Sequence, residues 1–78
     1  MKREYYIEIT LKDVETDPPY VMQSTTFETP KKAKDWFYTN WDYVDRSCLK
    51  VDLMAMEYID EQAEEEGEYE IVYVTTIR

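Results

Sequence analysis

Histidine is absent from this chain, glycine and cysteine occur once each, and acids outnumber bases two to one. Each shortage closes off a chemistry. Without histidine there is no Ser-His-Asp or Cys-His nucleophile system and no imidazole acid or base. A single cysteine, Cys48, cannot form an internal disulfide, and with no histidine beside it no zinc site can be assembled. Cys48 begins an apolar stretch and has no histidine to lower its pKa, so it reads as a small buried hydrophobe. One glycine leaves no phosphate-cradling loop, and bases and aromatics do not interleave as a single-strand nucleic-acid groove requires. No catalytic residue, cofactor or metal ion is therefore expected. A signal peptide, a membrane-length apolar run and a lipidation motif are also missing, and with the lone cysteine this points to a reducing cytoplasm and no membrane contact.

What is present describes a small folded domain. The chain has 78 residues, and a domain of that size buries only roughly 60 to 65% of the surface its unfolded chain exposes. One domain spanning residues 1–78 is expected, with a thin core and little room for an enclosed cleft. Apolar residues at 44% suffice for collapse, so the mean hydropathy of −0.70 reflects charge rather than disorder. The net charge of −9 argues against direct binding of nucleic acid or anionic membrane and makes a basic protein the more natural partner. That charge is concentrated: Glu57, Asp60, Glu61, Glu64, Glu65, Glu66, Glu68 and Glu70 follow one another with no intervening base, while the rest of the chain is nearly balanced.

Residues Arg3 to Lys12 alternate, with Tyr5, Ile7, Ile9 and Leu11 on one side, and read as a half-buried strand. Asp17, Pro18 and Pro19 interrupt it with a loop, after which Tyr20 to Glu28 reads as a second strand pairing back as a hairpin. Thr29 before Pro30 reads as an N-cap with proline at the first helical position. Ala33, Trp36, Phe37, Trp41 and Val44 then span an arc of about 140° at 100° per residue, a core-facing stripe. Both tryptophans are expected to supply the largest share of hydrophobic stabilisation. Lys31, Lys32 and Lys34 sit in the first turn, against the helix dipole, and are read as drawn to the acidic remainder of the molecule.

Leu49 to Gly67 admits two readings. In one, Asp52 caps a helix through Leu53, Met56, Ile59 and Ala63 that stops at Gly67. In the other, which we favour, Leu49 to Asp60 is a strand paired with Glu68 to Ile77. Its register sets Val51 against Ile77, Leu53 against Thr75 and Ala55 against Tyr73 on one side. On the other side Met54 opposes Val74, Met56 opposes Val72 and Tyr58 opposes Glu70. The fold class is then α+β, a ββαββ domain whose antiparallel four-stranded sheet carries one helix on one face.

One helix covers one sheet face. The second face would show Met54, Met56, Tyr58, Val72, Val74 and Tyr6, a contiguous apolar patch of the kind that marks an interaction site. The expected occupant is a second copy in a twofold homodimer, with self-association carried by Met54, Met56, Tyr58, Val72 and Val74. The carboxylates do not form a glycosidase pair, which needs a cleft of fixed separation. Nor do they form a calcium loop, since Glu65 stands where an EF-hand from Asp60 needs glycine and Ile71 where it needs glutamate. The acidic run reads first as a solvated tip that keeps an apolar sheet from aggregating.

Acidic side chains on alternate strand positions stand about 6.8 Å apart, and such an array can occupy a protein groove built for phosphates. Asp52 to Glu57, the glutamate run, Glu70 to Tyr73 and the tryptophan-bearing helix before them resemble the short, acidic, histidine-poor accessory proteins of bacteriophages and mobile elements of Gram-positive bacteria. That resemblance implies a non-enzymatic binding protein, and as an alternative to assembly it implies a nucleic-acid mimic that inhibits a host defence or nucleic-acid enzyme. In the mimic, Glu57 to Glu70 would carry partner binding.

Overall fold

The structure, a computed structural model, describes residues 2–11, 20–41 and 49–77. It has the α+β architecture: strand β1 (Lys2–Leu11), β2 (Val21–Gln23), helix α1 (Pro30–Trp41), β3 (Leu49–Tyr58), a short helix α2 (Glu61–Glu66) and β4 (Glu70–Thr76). The strands form one antiparallel sheet in the order β2-β1-β3-β4. The expected positions of the loop before Tyr20, of Val44 and of Cys48 lie outside the described residues.

β1 pairs with β3 without interruption from Lys2–Tyr58 to Leu11–Leu49, so the two longest strands form the centre. Their inward side supplies Ile7, Ile9, Val51 and Leu53, which close with Ala33 and Phe37 of α1 into the buried core. Tyr5, Leu11, Phe27, Trp36, Trp41, Val74 and Ile77 pack around it. Phe37 is completely buried whereas both tryptophans are only partly so. The centre of the helix interface is therefore Phe37 and Ala33, with Trp36 at the margin, its ring 6.2 Å from that of Phe27. α1 begins as its sequence reads: the Lys32 amide donates to Thr29 Oγ1 at 3.2 Å, and Pro30 occupies the first turn at no cost in hydrogen bonds. Lys31 and Lys32 are paired locally, with Asp35 at 2.9 Å and Glu28 at 3.6 Å.

The second strand is shorter than its sequence implies. β2 pairs with β1 over Glu8–Gln23, Ile9–Met22 and Thr10–Val21, and pairing resumes at Tyr5–Phe27 after an extra residue. Ser24 bridges the break: its hydroxyl accepts the Ile7 amide at 2.8 Å, and its own amide donates to the Ile7 carbonyl at 2.9 Å. A side chain thus replaces the missing ladder partner.

Both readings of Leu49 to Gly67 contribute, over different residues. The strand runs to Tyr58, and the helix is confined to Glu61–Glu66, capped by Asp60 rather than Asp52. Asp60 is extended and its carboxylate accepts the Ala63 amide at 2.8 Å. Gly67 closes the helix at φ 73°, ψ 22°, with the Gly67 and Glu68 amides donating to the Glu64 and Ala63 carbonyls, a left-handed C-terminal cap that favours glycine.

The register between β3 and β4 corrects the expected one. Leu53–Thr75 holds, but a bulge follows, and the ladder continues as Met54–Tyr73, Ala55–Val72, Met56–Ile71 and Glu57–Glu70. The extra residue is Val74. Its insertion has a physical reason: Val72 and Val74 share one phase of alternation and Ile77 the other, and only a bulge lets all three turn toward the helix side. Val72 and Val74 are therefore not on the open face, and Ile71 and Tyr73 take their places.

Truncating Phe37 to alanine is expected to cost about 3 to 5 kcal/mol, a large part of the stability of so small a domain, and to show as loss of the cooperative transition in chemical denaturation. Gly67→Ala meets no neighbouring atom within 4 Å, so its expected cost of about 1 kcal/mol is the backbone strain of a left-handed residue alone. The same denaturation experiment measures it.

Candidate functional site

The sheet face away from α1 is built from alternate residues of all four strands, with β2 contributing Val21 and Gln23 opposite Thr10 and Glu8. β1 contributes Lys2, Glu4, Tyr6, Glu8 and Thr10, and β3 contributes Lys50, Asp52, Met54, Met56 and Tyr58, the residues out of phase with the core. β4 adds Ile71 and Tyr73 through their pairing with Met56 and Met54. Tyr69, just before β4, folds its ring against Tyr58 with centroids 5.8 Å apart and edge to face. Tyr6 and Tyr58 are consequently only 5% and 7% exposed. Ile71 and Tyr73 remain 52% and 57% exposed, and Tyr69 is exposed beside them. Tyr6, Met56, Tyr69 and Ile71 also line a shallow groove on this face.

Of the expected self-association residues, Met54 and Met56 are on the open face and half-buried. Tyr58 is on that face but already covered from within the chain. Val72 and Val74 are on the other side. Sequence reasoning missed Tyr69, Ile71 and Tyr73, because the register that hides or exposes them turns on a bulge. The apolar patch is bordered by polar partners: Thr76 Oγ1 donates to Asp52 Oδ1 at 3.0 Å and lies 2.6 Å from the Tyr73 hydroxyl, while Lys50 Nζ is 3.8 Å from Asp52.

The acidic residues do not form one free array. Glu57 lies within the sheet, between Arg3 and Glu70 in a single cross-strand row on the helix side. Arg3 Nε donates to Glu57 Oε2 at 2.7 Å, which offsets the repulsion of two glutamates placed opposite each other. Glu64 is bonded to Lys2, and that hydrogen bond, followed by the charge of Glu64, raises the Lys2 pKa. Asp60 is used as a cap. Glu61, Glu65, Glu66, Glu68 and Glu70 are exposed, with Glu66 accepting from Gln62 Nε2 at 3.2 Å. Among the described residues no group of carboxylates and thiols is arranged to hold a metal ion, and no helix is long and apolar enough to cross a membrane.

No protein-family model, curated protein or solved structure matches the chain.

Burial, and then the charge of Glu8, pushes the Tyr6 hydroxyl above the ordinary tyrosine range, and burial followed by Glu4 does the same to Tyr58. A pKa raised on folding leaves stability intact below about pH 10 and removes it as pH climbs through the folded-state value. Tyr6→Phe and Tyr58→Phe are each expected to flatten the alkaline fall in melting temperature between about pH 9 and 11. Absorbance titration of the parent's phenolates should show a subset ionising above the rest.

Proposed function

We propose that this chain is a non-catalytic, cytoplasmic protein-binding and assembly module that associates with a second copy through the open sheet face. The observation that carries the reading is the run of Tyr69, Ile71 and Tyr73. These alternate residues point to one side at the sheet's margin, next to Met54 and Met56. Isolated apolar residues on a surface are ordinary, but a contiguous patch of tyrosine, methionine and isoleucine with a polar border has the composition of an interface. The phage-type resemblance is compatible with such a role.

The alternative, an acidic nucleic-acid mimic inhibiting a host enzyme, needs its carboxylates free to face a basic groove. The pairing of Glu57 with Arg3 and of Glu64 with Lys2 removes two of them from that task and favours assembly.

The two readings respond oppositely to salt. Self-association of a strongly acidic chain is opposed by mutual repulsion, so added salt should strengthen the dimer through screening, whereas binding to a basic partner should weaken. Sedimentation equilibrium at low and moderate salt is expected to show a salt-strengthened dimer. Changing Ile71 and Tyr73 together to lysine should yield a folded monomer. Those substitutions lower the net negative charge, so a lost dimer reports charge placed within the patch and not the overall repulsion between two acidic copies. A parent that stays monomeric at ~200 µM in moderate salt, a concentration where even weak interfaces are populated, defeats the reading.

A further inference from the structure

The sheet has two edges, and they differ in what they offer. β2 is three residues long and breaks at Ser24, features that protect an edge from adding a strand. β4 runs from Glu70 to Thr76 with no lysine and no proline, and Glu70 is its one charged residue. Its Ile71 and Tyr73 side chains stand exposed on the open face. Building on the self-association proposed above, we infer that two copies join by antiparallel pairing of β4 with β4, about a twofold axis at Val72, into one continuous eight-stranded sheet.

Three observations select this arrangement. With Val72 on the axis, Ile71 of each copy lies opposite Tyr73 of the other, so the exposed pair is satisfied twice by an aromatic against a β-branched residue, a favourable cross-strand combination. The open faces then merge, and Met54, Met56, Ile71 and Tyr73 of both copies form one patch across the junction. Charge decides the direction of the strands. In an antiparallel ladder the acidic end of one copy, with α2, Glu68 and Glu70, lies beside the other's Thr75 and Thr76, whereas a parallel ladder would set the two acidic ends together. The bulge at Val74 limits the shared ladder to Glu70–Val74, so the dimer is weak and exchanging.

Cysteine cross-linking in a Cys48→Ser background reads the register. Residues directly opposite in an antiparallel ladder have Cα separations of about 4.5 to 5.5 Å, within disulfide range. Val72→Cys should therefore close an intermolecular disulfide by itself under mild oxidation. Ile71→Cys and Tyr73→Cys should close only when the two variants are mixed. Because Val72 is half-buried and its replacement could disturb the fold, amide hydrogen exchange on the unmodified protein supplies an independent measurement. Among residues 70–74, the amides that face away from β3 should exchange about tenfold more slowly at dimer concentrations than on dilution. A dimer whose β4 amides exchange at the monomer's rate, or in which Ile71→Cys alone cross-links as well as Val72→Cys, overturns edge pairing and leaves association by face stacking. A parent with no dimer at all removes both this inference and the reading beneath it, and leaves the β4 edge to a strand of another protein.

Discussion

A single helix can cover only one face of a sheet, and the organisation of this molecule follows from that constraint. α1 is used on the two central strands, where Ala33 and Phe37 meet Ile7, Ile9, Val51 and Leu53. The strands alternate accordingly: apolar residues toward the helix, and on the other side a mixture of charge, tyrosine and methionine. Arg3, Glu57 and Glu70 occupy the end of the helix side that the core does not fill, and an ion pair stands there in place of apolar packing.

The uncovered face is managed from within the chain as far as the chain allows. Asp60 and Gly67 bracket a six-residue helix, and the path this imposes returns Tyr69 over Tyr58. Tyrosine suits the role, since its ring covers neighbouring rings while its hydroxyl stays near water. The cover ends there. Farther along β4, Ile71 and Tyr73 have no second layer, and they lie on the longer of the two edge strands, which has neither the shortness nor the early break that protects β2. Function is proposed where those two features meet. The acidic residues, in turn, divide among a cap, two ion pairs and a set of solvated side chains, so their crowding in the sequence does not become a single surface in space.

Much of the fold was legible from local patterns. The alternation of Tyr5, Ile7, Ile9 and Leu11 identifies β1 and its inner side, and Thr29 with Pro30 marks the start of α1, because strand periodicity and end-capping depend on neighbours in the chain. Gly67 ends a helix, as only the less favoured reading of Leu49 to Gly67 has it, and that helix is much shorter and capped by Asp60. The pairing of β1 with β3 was not legible, since nothing local says which strands share a sheet's centre.

The candidate site was legible in kind but not in its residues. That one face would be left open follows from the count of elements, and Met54 and Met56 belong to it by the alternation of β3. Whether Val72 and Val74 or Ile71 and Tyr73 accompany them depends on one inserted residue. Either register places apolar side chains on both faces of β4, and the unbulged one that the sequence favours turns Val72 and Val74 to the open face. The tertiary structure decided it: Val72 pairs with Ala55 on the helix side, Val74 and Ile77 pack against the core, and only a bulge at Val74 turns all three to that side.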